Sequence, residues 1–439
     1  MTACLSDINL LLDDLPQVRA LPKVFVPHEE TSLEALGIPQ HIIEKQILKY
    51  LLNAGDVTGR QIACQLKLSG SLVTGLLRQM KSEMLVSYKQ ASGPSDYEFI
   101  LTERGHTIAQ RAYERSTYFG TVPVTLEEYL FSVKAQSPGR ERPTAEKLRN
   151  ALGELKISPK MFQRLGQAMI SVGAMFLYGS PGNGKTSIAE RLTETFSPSI
   201  WIPRTLFIEG EIVRLFDPTV HEEIIIEDDI ATQQQIDQRW VKIKRPTVIV
   251  GGELKMEHLE LKIDHATGVL EAPFQLKSNC GTLVIDDFGR QQMSTDELLN
   301  RWIIPLEKKY DFLNTPSGKK VQVPFEQMIV FATNLEPKEL VDEAFLRRIP
   351  YKIQATDPTE EDFHDLFYQL ATQMEIAGST EIIDYLIEKH FKEEHRPMRY
   401  CHVRDLLLQV NSYCHFLEQQ PQLTRESVDA AVANYFSIM

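Results

Sequence analysis

A chain of 439 residues, 43% of them hydrophobic, is too long for one compact core and too apolar to stay unfolded, so two or three packed domains are expected. Its formal net charge of -13 excludes a surface that grips phosphate backbones everywhere, because such a surface needs concentrated Lys and Arg; any nucleic-acid contact must be local. Five scattered cysteines, Cys4, Cys64, Cys280, Cys401 and Cys414, form no C-x-x-C pair and fit a reducing compartment better than a disulfide framework.

Residues 1–35 are acidic, broken by Pro16, Pro22 and Pro27, and show no sustained period, so they read as an arm that packs on something else. They carry acid where a leader carries base, and no later stretch reaches the roughly 20 apolar residues of a membrane helix. A cytoplasmic protein without a membrane span is expected.

Residues 36–118 change character. HIIEKQILKYLLNAG has apolar residues at helical spacing up to Gly55, and TGRQIACQLKLS and GSLVTGLLRQMKSEMLV predict two more helices. Two β-like runs around Gly93-Pro94 and a closing helix from Glu103 to Arg115 follow. Helix, helix, helix, hairpin, helix is the order of a winged-helix domain. In the third helix Leu72, Val73, Leu76, Leu77 and Met80 form the expected buried stripe, which leaves Ser71, Thr74, Gly75, Arg78 and Lys81 facing outward. The unit holds ten Lys or Arg against seven Asp or Glu, which is thin for a DNA reader.

Residues 119–150, with SPGRERP and little periodicity, read as a linker. Residues 151–355 then carry the strongest signal in the chain. The apolar strand AMFLY runs into Gly179-Ser180-Pro181-Gly182-Asn183-Gly184-Lys185-Thr186 and then into a helix. This G-x-x-x-x-G-K-[ST] pattern in its strand-to-helix setting is a phosphate-binding loop: the glycines turn backbone N–H groups inward, Lys185 reaches the β and γ phosphates, and the Thr186 hydroxyl holds Mg²⁺. ATP and Mg²⁺ are the expected ligands.

Downstream, Thr282-Leu283-Val284-Ile285 ends in Asp286-Asp287. A strand that apolar tolerates acids only at its carboxyl end, where open α/β sheets bind ligands. Asp286 is the expected magnesium-side carboxylate, and Asp287 is expected to orient the attacking water. A third apolar strand, Met328–Thr333, ends at Asn334.

With these motifs in this order, residues 151–439 resemble the AAA+ ATPases. The resemblance implies an α/β fold: a P-loop core with a parallel sheet, a four-helix lid over residues 356–439, and here a winged-helix (α+β) domain in front. It makes Asn334 the sensor 1 residue that positions water, and Arg347 and Arg348 the arginine fingers offered to a neighbouring subunit's ATP. It makes Arg404 the sensor 2 arginine of the lid, with Arg399 as the alternative. Many relatives have Glu where Asp287 stands, which puts the hydrolysis rate in question. Lys185 and Asp286 are 101 residues apart, which implies an insertion, and IWIPRTLFIEGEIVRLF within it alternates like a hairpin around Glu209-Gly210. KYDFLNTPSGKKVQVPF predicts a second hairpin around Pro316-Ser317-Gly318, similar to the branch with MoxR-type chaperones and protease unfoldases. Cys401-His402 and Cys414-His415 stand 13 residues apart, about 140° around a continuous helix, so they do not converge on one metal ion.

The reading that follows is a homo-oligomeric ring, a hexamer by resemblance, that hydrolyses ATP and remodels a protein client, with the winged helix as adaptor. Two alternatives stand beside it: a DNA-directed switch similar to replication initiators or helicase loaders, touching DNA locally through the winged helix, and an ATP-binding scaffold without turnover.

Overall fold

The computed structural model describes residues 21–93, 96–225 and 236–437. The first 20 residues, with Cys4 and Pro16, and the Pro94 position of the first hairpin lie outside them.

The amino-terminal unit follows from its caps. Helix α1 (Gln40–Ala54) stops at Gly55, Thr58 makes a capping box for α2 (Gly59–Leu66), Ser69 caps α3 (Gly70–Ser82) and Thr102 caps α4 (Glu103–Arg115). Strands β1 (Val57–Thr58), β2 (Val86–Gly93) and β3 (Asp96–Leu101) form a sheet in the order β1-β3-β2. Ile43, Ile47 and Leu51 of α1 meet Ile62, Leu66, Val73, Leu76, Leu77, Met80 and Phe99 in one core. Leu72 is only partly buried, at the edge of that core, while Ser71, Gly75, Arg78 and Lys81 face solvent.

The segment read as a linker is structured. After β4 (Val124–Thr125), Thr125 caps α5 (Leu126–Gln136), and a further helix, α6 (Ala145–Leu152), begins at the Thr144 cap. The buried positions of α5 are Tyr129, Ser132, Val133 and Ala135, a helical spacing hidden from hydropathy because Ser and Ala hold two of the four.

Five parallel strands form the central sheet in the order β10-β13-β16-β5-β17, with β5 Ala174–Tyr178, β10 Thr247–Val250, β13 Thr282–Ile285, β16 Met328–Thr333 and β17 Tyr351–Gln354. Their runs are apolar throughout because both faces are covered. Period-2 alternation assigns the sides: Phe176, Leu283, Ile285, Ile329 and Phe331 pack with Phe288 and Trp302, which lies on the Thr295–Lys308 helix. On the other face Met175, Leu177, Val284 and Val330 meet Leu165 and Met169 of α7 (Pro159–Ser171), together with Ile188 and Leu192 of α8 (Lys185–Leu192). This is the α/β parallel-sheet core that the sequence predicts.

Between α8 and β13 the chain also builds a second sheet, β11-β12-β8-β7-β4, from β7 (Thr205–Ile208), β8 (Glu211–Arg214), β11 (Lys262–Asp264) and β12 (Val269–Glu271), with β4 as its parallel edge. Strands β7 and β8 are the hairpin expected at Glu209-Gly210, both of which have positive φ. Strands β6 (Ser199–Pro203) and β9 (Trp240–Lys244) pair separately. The second predicted hairpin, β14 (Tyr310–Asn314) with β15 (Lys320–Pro324), forms and buries Leu313, Val321 and Val323 against the same core as Tyr129 and Val133. In the arm, Phe25 packs on Trp240 with ring centroids 5.3 Å apart.

Past β17, helices at Glu360–Gln373, Thr380–Leu386, Tyr400–Phe416 and Arg425–Tyr435 close over a core of their own, with Phe363, Phe367, Phe391, Leu406, Leu407 and Val428 inside. Thr359 and Thr424 cap their helices with side-chain hydrogen bonds; Ser379 makes none.

Candidate nucleotide-binding site

The loop from Gly179 to Thr186 joins β5 to α8. Gly179, Gly182 and Gly184 have φ of 141°, 86° and 70°, values that L side chains rarely adopt. Two of them are also held by close approach: a Cβ on Gly179 would collide with Ala355 O, and one on Gly182 would collide with Cys401 Sγ. No side chain caps the first turn of α8, so its N–H groups keep their donors for something else. Ser180 and Gly182 are partly buried, Pro181 is exposed and Asn183 is buried.

Lys185 is 8% exposed and its Nζ donates to Gly179 O at 2.9 Å, Ser180 O at 3.0 Å and Asn334 Oδ1 at 2.6 Å. Burial lowers its pKa, the carboxylates of Asp286 and Asp287 pull it back up, and Arg399 adds to the lowering. Thr186 Oγ1 donates to Asp286 Oδ2 at 2.8 Å. Asp287 is exposed with φ of 48°, donates its backbone N to Asp286 Oδ1 at 2.9 Å, and accepts from Asn334 Nδ2 at 3.4 Å. The left-handed backbone turns Asp287 out of line with β13, away from the sheet and toward Asn334.

Three chain segments far apart in sequence therefore meet at the carboxyl ends of β5, β13 and β16, where open parallel sheets receive ligands. The donor set is a hydroxyl and a carboxylate beside an ammonium. Hard oxygen ligands of this kind suit Mg²⁺, and the ammonium with unspent helix N–H groups suits phosphate, so the residues present fit a magnesium nucleotide.

The arginines divide. Arg347 is exposed and forms no ion pair among the described residues. Arg348 Nε donates to Glu307 Oε1 at 2.6 Å, on the Thr295–Lys308 helix. Arg404 lies on the exposed side of its helix. Arg399, just before that helix starts, is the one against the loop; a Cβ on Gly182 would lie 3.8 Å from Arg399 Cδ, and the buried Arg399 Nε has no hydrogen-bond partner among the described residues. The helix start itself reaches the loop, since Cys401 N donates to Gly182 O at 2.9 Å. Hydropathy spacing could not tell the two arginines apart, because the choice depends on which residue begins the helix.

One neighbour was missed in the sequence. Asp357 Oδ1 accepts from Asn183 Nδ2 at 2.6 Å. Its only signal was its place before Pro358, where the sheet gives way to the carboxyl-terminal helices. On the outward face of α3, Lys81 Nζ sits 3.5 Å above the Tyr88 ring, and Lys89 on β2 is paired with Asp56 at 2.6 Å. Among the described residues, no group of three or more His, Cys, Asp or Glu could hold a metal ion, and no helix is long and apolar enough to cross a membrane.

A family model described as "Domain of unknown function (DUF8689)" matches residues 359–434. No curated protein matches the chain. Similar solved structures include the RuvB Holliday junction branch migration motor of Thermotoga maritima, 14% identical over 67% of this chain and 74% of that one, with a TM-score of 0.37. A point mutant of Thermotoga maritima RuvB is 12% identical over 69% and 73%, with a TM-score of 0.36. NtrX from Brucella abortus in complex with ATP is 15% identical over 75% of this chain and 64% of its own length, with a TM-score of 0.40. Scores at this level bear on neither function nor partner.

Proposed function

We propose that this chain is an AAA+ ATPase that assembles into a ring and remodels a protein partner. The observation that carries the reading is the meeting of Lys185 with Asn334 and of Thr186 with Asp286 at the carboxyl end of one parallel sheet. Lys185 and the amides that open α8 hold the phosphates, while Thr186 and Asp286 hold Mg²⁺. When bound, the metal neutralises phosphate charge and fixes the geometry of the terminal phosphoryl group. Asp287 and Asn334 orient the attacking water, with Asp287 as the shorter stand-in for the commoner Glu. Arg399, in place of Arg404, is the arginine through which the carboxyl-terminal helices sense the nucleotide.

Arg347, exposed and unpaired among the described residues, serves as the finger for a neighbouring subunit, with Arg348 braced on Glu307 beside it. In this reading residues 36–118 are the winged-helix adaptor, 151–355 the ATPase core and 356–439 the lid, in a cytoplasmic protein. A protein partner is favoured over DNA because the outward face of α3 offers Arg78 and Lys81 as its cations, with Lys81 laid over the Tyr88 ring and the nearby Lys89 of β2 paired with Asp56.

ATP turnover and assembly state, measured together with and without duplex DNA, test the proposal. Turnover that rises with assembly and ignores DNA is expected. DNA stimulation that disappears in Arg78→Glu/Lys81→Glu would replace the remodelling role with the DNA-directed one, and ATP binding without turnover in the assembled form would leave only the scaffold.

A further inference from the structure

Asn183 is 3% exposed, and its Nδ2 donates to Asp357 Oδ1 at 2.6 Å and to Ala355 O at 3.5 Å. Two acceptors converge on one edge of the amide. That edge must be the NH₂, because the flipped amide would set oxygen against oxygen twice. The other edge, Oδ1, is buried without a partner among the described residues, so the donor edge orients the side chain.

Ala355 to Asp357 are the residues by which the chain leaves β17 for the carboxyl-terminal helices. The same short stretch bears on the other end of the loop: Ala355 N donates to Tyr178 O at 2.7 Å, and Ala355 O occupies the place of a Cβ on Gly179. The connection is thus held at the start of the phosphate loop, through Tyr178 and Gly179, and near its middle, through Asn183. Cys401 N, bonded to Gly182 O next door, brings the helices themselves to the middle of the loop.

We propose that Asn183 is a positioning residue for nucleotide binding that acts through Asp357, tying the shape of the phosphate loop to the seating of the connection between sheet and carboxyl-terminal helices. The inference rests on the nucleotide reading above. A hydrogen bond to a carboxylate is stronger than one between neutral groups, but Asp357 is exposed, so solvent moderates the pair. An effect of about tenfold on affinity is expected.

The test is equilibrium binding of a fluorescent ATP analogue with Mg²⁺ to the full chain, to Asn183→Asp, to Asp357→Asn and to the double variant, with melting temperatures taken without nucleotide. Asn183→Asp opposes two carboxylates and should weaken binding about tenfold or more while the protein melts near the parent temperature. The double variant exchanges donor and acceptor and should recover part of the loss. Equal affinity in all four proteins overturns the proposal. So does a loss that follows the melting temperature and is not recovered by the exchange. A parent that binds no analogue at all overturns the nucleotide reading itself, a result distinct from variants that match a binding parent.

Discussion

Thr186 and Asp286 stand 100 positions apart in the chain, yet the Thr186 hydroxyl donates to the Asp286 carboxylate at 2.8 Å. The contact exists because β5 and β13 flank β16 in one parallel sheet, so their carboxyl ends open on the same edge of it. Asp286→Asn removes the negative charge that would face a cation while keeping an acceptor for Thr186. The Mg²⁺ concentration needed for nucleotide binding should rise by about tenfold or more, since ligand charge sets affinity for hard cations. A magnesium titration of nucleotide binding checks this, and an unchanged midpoint would remove Asp286 from the metal site.

Asp287→Asn should leave nucleotide affinity near the parent's and slow hydrolysis, because Asp286 and Lys185 remain in place. Loss of a positioned base costs on the order of 10²-fold or more. Comparing single-turnover rates with equilibrium binding separates the two effects. A collapse of affinity would mean that the roles of Asp286 and Asp287 are exchanged.

The arginine pair makes a prediction about mixtures. A Lys185→Ala protein keeps its arginines, and an Arg347→Ala/Arg348→Ala protein keeps its own phosphate loop. Combined, they should regain part of the ATPase rate, because an arginine supplied from a neighbour accelerates related reactions by about 10³ to 10⁵. No recovery in mixed assemblies shown to form would confine both arginines to their own chain.

His402 makes the carboxyl-terminal helices sensitive to acid. Its pKa is pushed down to about 4 from the ordinary 6.5, first by burial and then by Arg399, against the pull of Asp405 and Asp357. The ring packs among Phe391, Tyr435 and Phe436, and its Nδ1 has no partner among the described residues. Between these two values the unfolded chain binds the proton that the folded one refuses, so stability falls as pH drops from 6.5 toward 4. Asp217, held at about 2, acts in a lower window, below its ordinary 3.8. Melting curves at pH 7.5 and pH 5 should differ more for the parent than for His402→Phe; equal differences would clear His402 of the effect.

Much of the candidate site was legible because its chemistry is written in short runs. The loop from Gly179 to Thr186, the acids after Ile285 and the Thr333-Asn334 ending each need only a strand, a turn and a few fixed residue types. What escaped depends on contacts between distant segments. The parallel pairing of β4 with β7 sets Val124 beside Leu206, and nothing local announces it. The Asn183 to Asp357 bond spans 174 positions. Arg399 and Arg404 carry the same charge on the same stretch, and only the backbone that starts the helix at Tyr400 separates them. Likewise Lys81 counts as a free cation in the sequence until the Tyr88 ring is seen beneath it.

The most direct measurement is steady-state phosphate release from ATP with Mg²⁺ by the assembled parent and by Lys185→Ala, with circular dichroism of both. Lys185 makes two hydrogen bonds within its own loop and one to Asn334, and takes no part in the cores of the other units, so the variant should keep its helical signal. The account predicts that the parent turns over and that Lys185→Ala loses on the order of 10²-fold or more, the scale of removing one preorganised charge from a phosphoryl-transfer site. Turnover by a folded Lys185→Ala protein at the parent's rate, or none by the assembled parent, would contradict it.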